Sequence, residues 1–378
     1  MRVALTYPDV TRAGGIERVV VECANFLASR GHEAHLLASR VAPGVLRGEV
    51  RVRHVASAQR PDFAAMLQYR RRATSALDAL SGAFDVHASF GSQSPRGGVL
   101  WVPSVHRAAM DMILSRRGFM AGMKQRVNPD HLTRLRLERE YYADRAYAGL
   151  IACTERVRAE LARYHDVPEE DVVVQPLGFD ESEFNVRRRA ELRSRARSEL
   201  GLPESDKVVA FVANELERKG FDTLVRAVAG LREPDVHVLV VGRVSAGGYA
   251  VELERLGLTR RVRFAGPSNS VAYHHAAADA FALPTRYEPW GLAIVEALGS
   301  GLPVVTTRLA GASVAVEEGR TGRLLDDPDD ASEAASALDW LLRGGAAPAE
   351  EISASVSSLA WPRVLERYEG ILADAAGR

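Results

Sequence analysis

The sequence predicts an α/β protein made of two parallel-sheet domains in series. Short apolar runs alternate with longer stretches of helical period along the chain, which is the pattern of parallel α/β units. That pattern starts again after Pro176. At 378 residues the chain also exceeds what one ordinary core accommodates.

Taken in order, VALTY reads as the first strand. Pro8 and Asp9 follow too soon for a signal-peptide apolar region, so a mature cytosolic protein is expected. A helix spans about Ile16 to Arg30 and stops at Gly31. EAHLLA, VRHV, DVHASF, GVLWVP and GLIACT complete the first strand series. The polar stretch 180–207, closed by Gly-Leu-Pro, is expected to be a surface connection. KVVAFVAN, VHVLVVG, VRFAG, AFALPT and PVVTT form the second series. The tail from Trp361 reads as an amphipathic helix with Trp361, Val364, Tyr368, Ile371 and Leu372 on one side. It either caps the second domain or crosses back to the first. The domains are therefore expected at 1–176, joined by 361–378 if the tail crosses back, and 177–360. Two such domains leave a cleft at the carboxyl ends of their strands, where a ligand is expected.

Composition narrows the function. Hydrophobic residues make up 47% and charged residues 26%, as in a globular chain. Forty-nine bases balance 49 acids, so no global field favours nucleic acid. Cys23 and Cys153 form neither a disulfide framework nor a zinc spacing. No apolar run reaches the roughly 18 to 20 residues of a membrane span.

Three stretches carry candidate chemistry. In TYPDVTRAGGIERVV, Gly14 and Gly15 precede a helix, so their amides can approach a phosphate; a plain turn explains them equally well. In NELERKGFDTLVRA, Arg218 and Lys219 stand at a helix start, where they can neutralise a diphosphate, although a solvated charged turn is the blander reading. TRYEPWGLAIVEALGSGLPVVTT is the most informative. Glu288 precedes its helix and can accept from sugar hydroxyls, and Pro289 suits a first turn. Gly291 lets a ligand approach the amides of Gly291 and Leu292. Glu296 lies deeper, where a carboxylate needs donors such as a ribose diol.

EPWGLAIVEALGSGLPVVTT resembles the paired-glutamate signature of retaining glycosyltransferases of the GT-B fold. It is most similar to the group that includes glucosyltransferases of lipopolysaccharide core assembly. AGGIERVV, QPLGFD, ERKGFDTLVRA, DAFALPTRYEPWG and GRTGRLL extend the likeness over nearly the whole chain. The resemblance implies two Rossmann-like domains facing a cleft, the first for the acceptor and the second for the nucleotide-sugar. It implies that Gly14 and Gly15 meet the donor diphosphate, which Arg218 and Lys219 neutralise. Glu288 would contact the sugar, Glu296 the ribose, and the Gly291 and Leu292 amides the sugar or phosphate. It also implies a residue near the reacting carbon, and His106 stands at that position. The chain departs from the pattern at Ala310, Val314 and Asn214, which leaves sugar and base preference open.

The reaction expected is metal-independent transfer from the front face, with catalytic roles for Arg218, Lys219, Glu288 and His106. No cofactor is expected. Asp327-Pro-Asp329 is rejected as a metal pair because Asp330 and Glu333 read as a helix start. The donor base is expected to be uridine, with guanosine the alternative. The acceptor is a saccharide, a lipid-linked saccharide or a natural product. Segment 113–139, with Arg116, Arg117, Lys124, Arg126, Arg134 and Arg136 around Phe119, Met120 and Met123, is either a solvated hairpin or a peripheral contact with the inner membrane face. Competing readings are a sugar-nucleotide epimerase, a phosphorylase, a non-catalytic sugar-nucleotide binder and, least favoured, a dinucleotide oxidoreductase.

Overall fold

The computed structural model describes residues 1–11, 14–58, 60–116, 123, 125–233 and 235–377, with Arg116 described by its backbone alone. Two units divide the chain: Met1–Leu177 with Pro362–Arg378, and Gly178–Trp361.

The first unit is built on seven parallel strands. They are β1 (Arg2–Thr6), β3 (Glu33–Ala38), β5 (Arg51–His54), β6 (Val86–Phe90), β7 (Val99–Val102), β8 (Gly149–Ala152) and β9 (Val172–Val174), in the order β5-β3-β1-β6-β7-β8-β9. A short side pair joins β2 (Asp9–Val10) to β4 (Arg40–Val41). Central strands such as β1 and β7 are buried on both faces and so read as unbroken apolar runs. Helix Gly15–Ser29 buries Val19, Val20, Cys23, Ala24 and Leu27 on one stripe. It ends at Gly31, whose φ of +83° suits glycine, with His32 N–H donating to the Leu27 carbonyl.

The C-terminal helix Trp361–Ala376 returns to this unit. The Tyr368 ring lies 5.0 Å from that of Trp101, and the buried Gln175 Nε2 donates to the Val364 carbonyl.

The second unit holds six parallel strands: β10 (Lys207–Val212), β11 (Val236–Val241), β12 (Val262–Gly266), β13 (Ala280–Leu283), β14 (Val304–Thr307) and β15 (Gly322–Leu325). Their order is β12-β11-β10-β13-β14-β15, so the winding reverses between β10 and β13.

One expectation needs correction. Stretch 180–207 is not a plain surface connection, because Val186–Glu199 forms a helix capped by Asn185. Its charged sequence hides a fully buried Arg197. That guanidinium donates to the carbonyls of Ala277, Pro203, Glu204 and Asp206 and to the Asp279 carboxylate. It ties the helix to the β13 entry. Among the described residues no helix is long and apolar enough to cross a membrane.

Arg197→Ala leaves Asp279 and four carbonyls short of a donor. It should cost roughly 3–5 kcal/mol, the range for stripping one partner from a buried pair. Chemical denaturation reads this, and a loss under about 1 kcal/mol would show that the arginine is not a structural tie.

Candidate active site

The reversal of winding sets the geometry of the second unit. Strands β10 and β13 are parallel neighbours, so the loops leaving their carboxyl ends emerge side by side. One runs from Ala213 to Gly220, the other from Pro284 to Gly291. The loops are cross-linked: Arg286 N–H donates to the Arg218 carbonyl at 2.9 Å, and the Arg218 side chain donates from Nη1 to the Tyr287 carbonyl at 2.6 Å. Gly220 has φ +77°, and a Cβ there would lie 1.9 Å from the Pro284 carbonyl oxygen. Only glycine allows the loops to come this close.

Arg286 clamps the pair from beneath. Nη1 and Nη2 donate to Asp222 at 2.8 and 2.7 Å, Nε donates to Asp329 at 2.8 Å, and Nη1 also meets the Glu217 carbonyl. Burial works against its charge, but the bonds to Asp222 and Asp329 prevail and raise its pKa. Asp329 is thus the partner of an arginine. Asp330 caps helix Ala331–Leu342 by accepting from Ser332 N–H and Glu333 N–H, while the Glu333 carboxylate accepts from Asp326 N–H and Asp327 N–H. Among the described residues no group of three or more His, Cys, Asp or Glu side chains could hold a metal.

On this platform three predicted residues meet. Lys219 Nζ contacts Glu288 Oε2, and Arg218 Nη1 lies 3.5 Å from the same oxygen. Arg218 also donates to Glu215 at 3.0 and 3.2 Å. The Lys219 and Glu288 side chains are each only 13% exposed. Burial, then the Arg218 charge, pull the Lys219 ammonium down to about 7 against the opposing pull of Glu215. With Lys219 protonated, two cations face two carboxylates, Glu215 and Glu288, and their charges balance.

Gly291, at φ +104° and three residues after Glu288, turns the chain into helix Leu292–Gly299. A Cβ at Gly291 would sit 3.1 Å from Glu288 Cγ and from Ile294 Cδ1. The loop is held from the other side by Gly311 N–H on the Glu288 carbonyl and Ala312 N–H on that of Trp290. Ala310 is buried there, and Val314 projects with 77% exposure. Glu296 is 3% exposed, one helical turn past Leu292. A helix N-terminus beside two cations suits an anion.

The first unit holds the other predicted residues. Gly14 precedes helix Gly15–Ser29, and the Glu17 carboxylate packs against it, so near that a Cβ on Gly14 would overlap it. An acid thus complements the helix end, and a phosphate arriving there must displace it.

His106 is the first residue of helix His106–Arg116, just after β7. The buried Glu138 carboxylate caps that helix, accepting from His106 N–H at 2.6 Å and Arg107 N–H at 3.0 Å. The His106 ring stacks on His131, with His106 Nε2 3.1 Å from His131 Nδ1. Burial first, then Arg134 and His131, bring the His106 pKa down to about 4 despite Glu138. The ring is neutral at neutral pH.

Sequence reasoning missed Glu138, His131 and Arg286. Glu138 and His131 are seven residues apart on helix Pro129–Tyr142 and so share a face, but nothing local says what that face meets. In segment 113–139, Arg117, Phe119, Met120, Lys124 and the Arg116 side chain lie outside the described residues. Met123, Val127 and Leu132 are exposed there, beside the exposed Arg126, Arg134 and Arg136.

Comparison with known proteins assigns the family. Residues 13–183 match the family described as Glycosyltransferase Family 4, and residues 193–355 match that described as Glycosyl transferases group 1. The D-inositol 3-phosphate glycosyltransferase of Mycobacterium sp. (strain KMS) is 31% identical over 370 residues, covering 91% of this chain and 81% of its own. Among solved structures, WaaG, a glycosyltransferase involved in lipopolysaccharide biosynthesis, has a TM-score of 0.81 at 20% identity, covering 98% of this chain and 99% of its own. Anabaena Alr3699/HepE in complex with UDP-glucose has a TM-score of 0.74 at 20% identity, covering 99% and 100%. Two parallel-sheet units of this kind are the GT-B architecture, and the chain belongs to the group 1 glycosyltransferases.

Proposed function

We propose that this glycosyltransferase moves a sugar from a nucleotide-sugar, with UDP-sugars preferred, to an acceptor hydroxyl with retention of configuration and without a metal. The observation that carries this reading is the Arg218–Lys219–Glu288 cluster beside the N-terminus of helix Leu292–Gly299. Because the free cluster is charge-balanced, donor binding must exchange partners. Lys219 and Arg218 turn to the diphosphate, and Glu288 accepts from sugar hydroxyls instead. The Gly291 and Leu292 amides approach the sugar or phosphate, Glu296 takes the ribose diol, and Gly14 and Gly15 offer amides to the diphosphate.

As the bond from anomeric carbon to diphosphate oxygen breaks, negative charge grows on the leaving group, where the two cations stabilise it. The acceptor oxygen bonds to the same face of that carbon, and a departing phosphate oxygen takes its proton. His106, neutral at working pH, orients the sugar or acceptor. The UDP-glucose bound to the Anabaena protein and the name of the mycobacterial relative make UDP-glucose and an inositol phosphate the first pair to assay. The exposed Met123, Val127 and Leu132 among arginines support a peripheral contact of segment 113–139 with an anionic membrane.

Lys219→Ala and Glu288→Ala should each lower kcat by about 100- to 1000-fold, the scale of losing one preorganised electrostatic partner. Near wild-type turnover in either variant would remove the cluster from the mechanism. Saturating EDTA should leave turnover unchanged, and a loss restored by a divalent cation would contradict the metal-free reading.

In the free enzyme Lys219 loses its proton above about pH 7. UDP-glucose affinity should therefore fall there, approaching about tenfold per pH unit. Lys219→Arg, charged throughout, should flatten the profile. Calorimetric titrations across that range read the slope, and a flat wild-type profile would contradict the role given to Lys219.

A further inference from the structure

We propose that Gln125 and His131 lock the His106 proton on Nε2, leaving His106 Nδ1 as a bare acceptor for a substrate hydroxyl. The placement of His106 at the substrate rests on the function proposed above; the proton assignment rests on the hydrogen-bond geometry of two neutral rings.

His131 Nε2 lies 2.8 Å from Gln125 Oε1, and a carbonyl oxygen can only accept. His131 Nε2 therefore carries the hydrogen, and in a neutral ring Nδ1 is then a lone pair. That lone pair lies 3.1 Å from His106 Nε2, which must donate to it. The remaining nitrogen of His106, Nδ1, is left unprotonated. Turning the Gln125 amide over would reverse each proton along the chain, so the orientation of one amide decides what His106 offers its ligand.

The surroundings position the two rings and disfavour a second proton on either. The two rings stack at 5.2 Å with 21° between their planes. Glu138, 2% exposed, fixes the helix start through the His106 and Arg107 amides and lies 3.2 Å from His165 Nε2. Burial and Arg134 lower the affinity of both rings for a second proton, against Glu138 at His106 and Asp130 at His131.

A fixed acceptor is useful chemistry here. A sugar hydroxyl, or an acceptor hydroxyl other than the attacking one, can donate to His106 Nδ1 while its oxygen lone pairs stay free to meet a backbone amide; the attacking hydroxyl keeps its proton for the departing phosphate oxygen. His131 and Gln125 are then positioning residues, acting through His106.

The test joins side-chain nitrogen-15 NMR of the full-length free enzyme with steady-state kinetics on two His131 variants. In His131→Asn, Oδ1 stands close to the lost Nδ1 and still accepts from His106 Nε2–H. In His131→Leu nothing accepts. Wild type and His131→Asn should show His106 protonated on Nε2, with kcat within about twofold of each other; His131→Leu should show mixed tautomers and a kcat lower by about tenfold, the worth of one hydrogen bond. A wild-type His106 protonated on Nδ1 overturns the inference, as does an identical tautomer in both variants. The wild-type spectrum decides alone if His131→Leu does not fold. The expected tautomers with unimpaired turnover in both His131→Leu and His106→Ala would instead overturn the placement of His106 at the substrate.

Discussion

The contact between Lys219 and Glu288 is the interaction around which the second unit is arranged. Each residue alone is a liability, since a nearly buried charge without a partner is strongly destabilising. They meet because β10 and β13 are neighbours across a reversal of winding, which brings two loops distant in sequence to one sheet edge. Gly220 lets the first loop pass against the second, and Gly291 turns the second into its helix. Arg286 then fastens both loops to Asp222 and Asp329. Its ion pairs hold the loops together with the Arg218 bond to the Tyr287 carbonyl, and on the proposed reading Lys219 and the other Arg218 nitrogens change partners.

That division of labour explains a neutral cluster in a protein read as binding a dianion. Two cations already matched by Glu215 and Glu288 do not form a standing phosphate trap. On the proposed reading they form a set whose pairs can be exchanged, Glu288 turning to sugar hydroxyls as the cations turn to phosphate. A bare phosphate satisfies only one half of such a set. On the same reading a molecule carrying both diphosphate and sugar would satisfy both.

Much of this was legible in the sequence where the signal is local. The strand series, the helix after Gly14 and the stretch from Thr285 to Thr307 each announce themselves within a dozen or two residues. What was illegible is tertiary. Arg286, Asp222 and Asp329 are spread over three segments, and no spacing links them. Helix Val186–Glu199 has an arginine-rich surface pattern, yet its Arg197 is buried because carbonyl oxygens and Asp279 gather around it. The short strands Val172–Val174 and Gly322–Leu325 carry too few residues for a period to show. In the first unit His106 was named only through the family resemblance, and the Glu138 and His131 beside it lie on a helix with almost no apolar stripe.

The central claim is that charge accumulates on a diphosphate held by Arg218 and Lys219, with the new bond formed on the face it leaves. Proton NMR of the purified enzyme with UDP-glucose, following the anomeric signals before mutarotation, tests this most directly. The account predicts that the first sugar released to water, or transferred to an acceptor, keeps the α configuration of the donor. A β product at the earliest times would place the incoming oxygen on the opposite face and contradict the account.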